Sequence, residues 1–197
     1  SDSNARPTQQ IVVTPSVLKI LYGIPSAKAT QTRNLLSVAG FLDQYANRAD
    51  LKASEYAATI TDGSINDGQN DQDPAKAGEE ANLDIQYTVG LVNFAPVEFL
   101  SSGKADINSW IKIADHWLAQ DNPPTVVSIS YGFQEYQVSK DSAKTLSNRY
   151  AQLGARGVSI LVSTGDGGVA GSQPPSGEIP YKFIPTFPAS CPYVTAV

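Results

Sequence analysis

Apolar and polar positions alternate in blocks along this 197-residue chain. Short apolar runs at residues 35–42 (LLSVAGFL), 97–100 (VEFL), 126–130 (VVSIS) and 158–162 (VSILV) are bounded by Gly, Pro and polar residues. That is how buried strands read. A further short strand is expected at residues 56–60 (YAATI). Helical signals fall between these runs. Thr14 before Pro15 is an N-cap followed by proline at the first helical position, and Gly23 closes that helix. Residues 43–56 are expected to be partly helical, and residues 79–90 form a helix with acidic positions on it. Ile107, Trp110, Ile111, Ala114 and Leu118 recur at helical spacing, with His116, the single histidine, off their stripe. Leu146, Tyr150 and Leu153 mark the inner face of a helix over residues 141–153, which Gly154 ends. Residues 62–73 (DGSINDGQNDQD) read as a solvated loop, and residues 174–192 as a Pro-rich loop. Residues 1–10 read as a mobile, processed end, and the apolar stretch up to Val197 as a strand whose domain continues further.

Buried runs alternating with amphipathic helices are the pattern of right-handed βαβ crossovers on a mostly parallel sheet, an α/β fold. Ligands of such sheets bind beyond the carboxyl ends of the strands. Three features fall there: SYG (130–132), TGDGG (164–168) and the approach to the helix at 79–90.

Composition narrows the function class. Hydrophobic residues make up 41% and charged residues 17%, which describes a globular chain rather than a disordered one. A net charge of −5 without a basic stripe argues against a nucleic-acid partner. No apolar run approaches the ~18 residues a spanning helix needs, and no membrane partner is expected. Cys191 has no second cysteine to pair with, so it is either a small buried residue or is joined to another chain. The sequence holds no N-x-[ST] acceptor for glycosylation.

Glu80 and Asp84 lie four residues apart in GEEANLDIQY (78–87) and share a helical face. Two carboxylates there repel by a few tenths of a kcal/mol on a surface and by more when buried. Taken alone, the segment reads as a solvated acidic face. Asp166, between Gly165 and Gly167 after a buried strand, reads equally as a tight-turn residue and as a site residue. A phosphate cradle is disfavoured, because neither GxGxxG nor GxxxxGK[ST] occurs. Asp71 and Asp73 alternate as calcium ligands do, but Pro74 follows and the central glycine is missing, so no metal site is assigned. His116 sits mid-helix, away from strand ends, and is no candidate base. Ser128, Ser130 and Ser163 lie near strand ends outside any GxSxG and read as backbone-bonding hydroxyls.

Taken together, GEEANLDIQY, VVSISYG, LGARGVSILVSTGDGGV and FPASCPYVTAV, in that order, resemble the sedolisins, the serine-carboxyl peptidases that include tripeptidyl peptidases and related fungal acid proteases. TPSVLKILYGIP resembles the opening of their mature catalytic domain. The resemblance covers almost the whole chain. It implies a subtilisin-like three-layer α/β fold, here as a partial domain: residues 1–197 would be the amino-terminal portion of one catalytic domain. It also implies secretion as a proenzyme, or residence in an acidic compartment, and cleavage of peptide or protein substrates at acidic pH. Matched position by position, Glu80 and Asp84 are the catalytic carboxyls of the family's GxEAxLD motif, while Glu79 falls on a variable position. Asp166 matches the oxyanion-hole aspartate, and Ser130, Tyr131 and Gly132 resemble the strand end whose backbone pairs with extended substrate.

The family's nucleophile lies in an SGTSAS-type motif that does not occur in this chain. The resemblance therefore implies a partner segment or second chain carrying the serine, and this chain alone is expected to be inactive. The Ca2+ site of the family is likewise expected outside these residues. Many fungal relatives carry a second cysteine shortly before FPASCP, which would leave Cys191 unpaired here. In this reading Glu80 is the general base, Asp84 orients it and shares a proton with it, and Asp166 must be protonated to donate to the oxyanion. Activity is then expected to fall as pH rises. The alternative is a non-catalytic binding or inhibitory module that keeps the fold without a nucleophile.

Overall fold

Residues 12–31, 33–53, 60–171 and 183–197 are described by a computed structural model. The first helix, α1 (Pro15–Tyr22), forms as its caps dictate: Thr14 is extended, its Oγ1 accepts the Val17 N–H at 3.3 Å, and Gly23 closes the helix at a φ of 62°. After it come β1 (Leu36–Gly40), α2 (Arg48–Ala53), β2 (Ile60–Ile65), α3 (Glu79–Leu91), β3 (Val97–Ser102), α4 (Ile107–Ala119) and β4 (Val126–Ile129). The chain continues through β5 (Phe133–Gln134), α5 (Lys140–Ala155), β6 (Ser159–Val162), β7 (Thr186–Phe187) and β8 (Thr195–Ala196).

Six strands form one sheet in the order β2-β3-β1-β4-β6-β8, with every neighbouring pair parallel. β5 and β7 make a separate antiparallel pair. Both faces of the sheet are covered, as parallel sheets require. On one side α4 and α5 bring Trp110, Ile113, Trp117, Leu146, Tyr150 and Leu153 onto Ala39, Leu100, Val127, Ile129, Ile160 and Val162. On the other, Ala81, Ile85 and Val89 of α3, with Leu51 of α2, pack on Val38, Val97 and Phe99. Consecutive β1 residues face opposite layers, Val38 towards α3 and Ala39 towards α4, so the strand reads as an unbroken apolar run. The expected α/β architecture with a mostly parallel central sheet is what the chain adopts.

The order of the strands places the functional crevice. After β1 the chain moves to the β2–β3 side; after β4 it moves to the β6 side. The switch point lies between β1 and β4, and the crevice outside their carboxyl ends is where ligands of such sheets bind.

Two expectations need correction, and a third is not tested. Residues 62–65 are not loop: they form the second half of β2. That strand is outermost in the sheet and has one solvated face, so polar residues are tolerated in it. The expected strand at 56–60 lies almost wholly outside the described residues, and Ile60 opens β2. The inner stripe of α4 centres on Trp110, Ile113, Ala114 and Trp117, with Ile111 and Leu118 only flanking the core. Elsewhere the differences are smaller. α5 runs one residue past Gly154, and Gly157 takes the left-handed conformation beyond its end. Of the terminal apolar stretch only Thr195–Ala196 is strand, exposed on the β6 edge. Residues 172–182 of the Pro-rich segment lie outside the described residues.

Candidate active site

The site begins with the seating of α3. Gly78 immediately precedes the helix, and its N–H donates to the Tyr45 carbonyl at 2.9 Å. A Cβ at Gly78 would lie 2.1 Å from Gln44 Oε1 and 2.9 Å from Gln44 Cα, so only glycine lets the helix start this close to the loop after β1. With Ala81, Ile85 and Val89 buried on the sheet, the neighbouring face of α3 carries Glu80 and Asp84 towards the carboxyl end of β4.

Ser130 is the first residue past β4. Its Oγ donates to Asp84 Oδ1 at 2.8 Å. Tyr131 lays its ring edge-on against Phe41, centroids 5.3 Å apart, and Phe41 in turn stacks on Trp110 at 3.7 Å. Gly132 sits where a Cβ would be 2.9 Å from the Phe187 carbonyl oxygen. Asp166 enters from the turn after β6. Gly165 there has a φ of 84°, and a Cβ on it would meet the Gly171 carbonyl oxygen at 2.4 Å. The Gly167 N–H donates to that carbonyl at 2.9 Å, and Thr186 Oγ1 donates to the Thr164 carbonyl at 3.0 Å, so the turn is tied at two points.

These residues meet in one cleft of about 590 Å³ at the carboxyl end of the sheet. Glu80, Asp84, Ser130, Tyr131, Gly132 and Asp166 all line it. The six residues that the resemblance assigns to the site are therefore brought to the same place. Thr186, Leu83 and Ser163 line it as well. Thr186 belongs to no motif, and nothing in its local sequence marks it. His116 lies on α4 and takes no part in the cleft. Cys191 is buried and has no second cysteine within this chain to pair with.

Electrostatics separate the carboxyls. Burial pushes Asp84 from its ordinary 3.8 up to about 7, the Ser130 hydrogen bond opposes this, and the neighbouring Glu80 adds to it. Glu80 is also raised, first by burial and then by the negative charge of Asp166. The Tyr131 hydroxyl is pushed up by burial and by the two carboxyls. Asp84 and Glu80 lie close enough that each bears on the other's titration, and Ser130 acts on both. Asp84 Oδ2 is buried and receives no donor among the described residues. Across the cleft Asp166 is exposed. The arrangement offers two neighbouring carboxyls from α3 and a third from the turn after β6, the kind of groups general acid–base catalysis uses.

No protein-family model matches the chain. It is 37% identical over 222 residues to the probable tripeptidyl-peptidase SED3 of Trichophyton verrucosum, an alignment that takes in 100% of this chain and 37% of that protein. It is 34% identical over 213 residues to the tripeptidyl-peptidase SED2 of Arthroderma otae, covering 94% of this chain and 36% of that one. The chain thus spans little more than a third of the length of these curated relatives. Among solved structures, a Pseudomonas sedolisin, a serine-carboxyl proteinase complexed with two molecules of pseudo-iodotyrostatin, superposes with a TM-score of 0.69 at 20% identity, over 93% of this chain and 52% of that one. The prenylagaramide maturation protease PagA superposes less well, with a TM-score of 0.51 at 14% identity, over 91% and 57%.

Proposed function

We propose that the chain is a member of the sedolisin family and forms the carboxyl-bearing part of a serine-carboxyl peptidase that hydrolyses peptide bonds at acid pH. The observation that carries the reading is the meeting of Glu80, Asp84 and Asp166, from α3 and the turn after β6, in one cleft at the sheet's switch point. Relatives named as peptidases favour this over a non-catalytic binding module, and their names favour release of tripeptides from peptide or protein substrates.

In the proposed mechanism the nucleophile is a serine from the part of the protein that the relatives have beyond the matched region. Its oxygen bonds to the scissile carbonyl carbon while Glu80 takes its proton. Asp84, protonated at acid pH, donates to Glu80 and holds it as a base. Asp166 donates to the oxyanion, which it can do only as the acid. Collapse of the intermediate breaks the C–N bond, and Glu80 returns the proton to the leaving amine. Water then releases the acyl group by the same relay. The extended substrate lies along Tyr131 and Gly132, whose backbone groups enter no hydrogen bond among the described residues. The Ca2+ ion that family membership implies is assigned to residues outside this chain. Among the described residues no group of three His, Cys, Asp or Glu side chains gathers to hold one. An acid optimum suits a secreted protein or an acidic compartment, and among the described residues no helix is long and apolar enough to cross a membrane.

The test is steady-state peptide hydrolysis by the complete protein carrying Glu80→Gln or Asp166→Asn. Loss of the base lowers kcat by about 10²–10⁴-fold, and loss of the oxyanion donor by about 10²–10³-fold. Rates within a few fold of the parent for either variant would remove that residue from the mechanism.

A further inference from the structure

We propose that the Ser130 hydroxyl is the positioning group of the site, fixing which oxygen of Asp84 carries the proton shared with Glu80. This rests on the peptidase reading above and adds to it a side-chain role for a residue otherwise assigned only a backbone one. The argument is one of donor and acceptor inventory. A protonated carboxyl has one carbonyl oxygen that only accepts and one hydroxyl oxygen that donates. Ser130 Oγ, one residue past β4, donates to Asp84 Oδ1 at 2.8 Å, which makes Oδ1 the accepting oxygen. Oδ2 is then the oxygen left to hold the proton. It is buried, receives no donor among the described residues, and belongs to a carboxyl whose titration the neighbouring Glu80 raises. The same hydroxyl also acts on Glu80 and opposes the upward pull on it, so Ser130 bears on both carboxyls, and its loss frees the Asp84 carboxyl to turn away from Glu80.

The position of Ser130 is itself well fixed. β4 is an interior strand paired in parallel with β1 and β6, and the Ser163 N–H donates to the Ile129 carbonyl at 3.1 Å just before it. On the other side, Asp84 is held by α3 through Ala81, Ile85 and Val89. The hydrogen bond therefore joins two rigid elements 46 residues apart in sequence, as a group that sets an orientation must. Ser130 bonds the charged form of Asp84 as well and opposes the upward pull of burial on it. Its removal should show in the titration of Asp84 independently of any turnover.

The experiment compares the complete protein with its Ser130→Ala and Ser130→Thr variants by two readouts. The first is the ¹³C carboxyl titration of Asp84 by NMR. Ser130→Ala raises the Asp84 midpoint by about one to two pH units, the size expected for loss of a hydrogen bond to a charged group, and Ser130→Thr, which keeps the hydroxyl, restores it. The second is peptide hydrolysis, in which Ser130→Ala lowers kcat by about tenfold or more while KM stays within about twofold, because the backbone that meets substrate is unchanged. An Asp84 midpoint that does not move in folded Ser130→Ala overturns the proposal and leaves the peptidase reading standing. Covalent labelling of Ser130 by a fluorophosphonate also overturns it, since Ser130 would then be the nucleophile. A parent protein that cleaves no peptide, with the midpoint shift present, sinks the peptidase reading and keeps the hold of Ser130 on Asp84.

Discussion

Asp84→Asn is the substitution whose consequence follows most directly from the geometry. The folded protein holds the Asp84 proton up to about pH 7, against an ordinary value of 3.8, mainly because the carboxyl is buried. A folded state that binds a proton more tightly than the unfolded chain gains stability from it. That gain is complete below the ordinary value and is lost as pH rises through the folded one. At about 1.36 kcal/mol per pH unit, the interval corresponds to about 4 kcal/mol, an upper figure because Glu80 titrates with it. Asparagine reproduces the protonated form without titrating: its Oδ1 can accept from Ser130 and its amide can donate towards Glu80. Denaturant unfolding of the complete protein and of Asp84→Asn, at about pH 4 and about pH 8, measures the difference. The two should be within about 1 kcal/mol of each other at the lower pH, and the variant more stable by about 2–4 kcal/mol at the higher. Parallel loss of stability in both proteins between the two pH values would refute the reasoning, because the titration would then belong to another group.

Three further substitutions probe the frame of the site. Trp117→Ala removes a side chain with no exposure, whose Nε1 donates to Ser37 Oγ at 3.2 Å, and should cost about 3–5 kcal/mol in denaturant unfolding; a loss below about 1 kcal/mol would contradict the packing described. Tyr150→Phe removes a buried hydroxyl without a hydrogen-bond partner among the described residues, so unfolding should show no loss and a gain of up to about 1 kcal/mol. Gly165→Ala puts a Cβ against the Gly171 carbonyl at a left-handed φ, at about 1–2 kcal/mol of backbone strain, and should lower kcat far more than KM by displacing Asp166. Unaltered kcat in that variant would show that the Asp166 turn can shift without consequence.

The parts of the fold that were legible in the sequence are those whose signals are local. Thr14, Pro15 and Gly23 bound α1 by cap chemistry that needs nothing from the rest of the chain. The apolar runs of β1, β3, β4 and β6 are continuous because both faces of those strands are buried. β2 was missed for the opposite reason: at the sheet edge its residues 62–65 alternate with solvent and look like loop. The spacing on α4 points to Ile111 and Leu118 as readily as to Ile113 and Trp117, because two overlapping apolar stripes run along that helix and only its packing on the sheet and α5 selects between them. Glu80 and Asp84 could be placed on one helical face from spacing alone, but their chemical reading came from resemblance in several motifs at once. The Ser130–Asp84 hydrogen bond was beyond reach, since it joins a strand end to a helix that only the sheet order brings together. Thr186 was invisible for the same reason.

The central claim is that a carboxyl base and a carboxylic-acid oxyanion donor share this cleft. The pH–rate profile of peptide hydrolysis by the complete protein, recorded beside that of Asp166→Asn, tests it most directly. The parent should be most active at acid pH and lose activity as pH rises through the titration of the Asp84–Glu80 pair, with Asp84 at about 7. Asp166→Asn should be slower by about 10²–10³-fold while keeping that fall, because Asp84 and Glu80 are unchanged in it. A parent profile that peaks at neutral or alkaline pH, or Asp166→Asn rates within a few fold of the parent's at acid pH, would contradict the account.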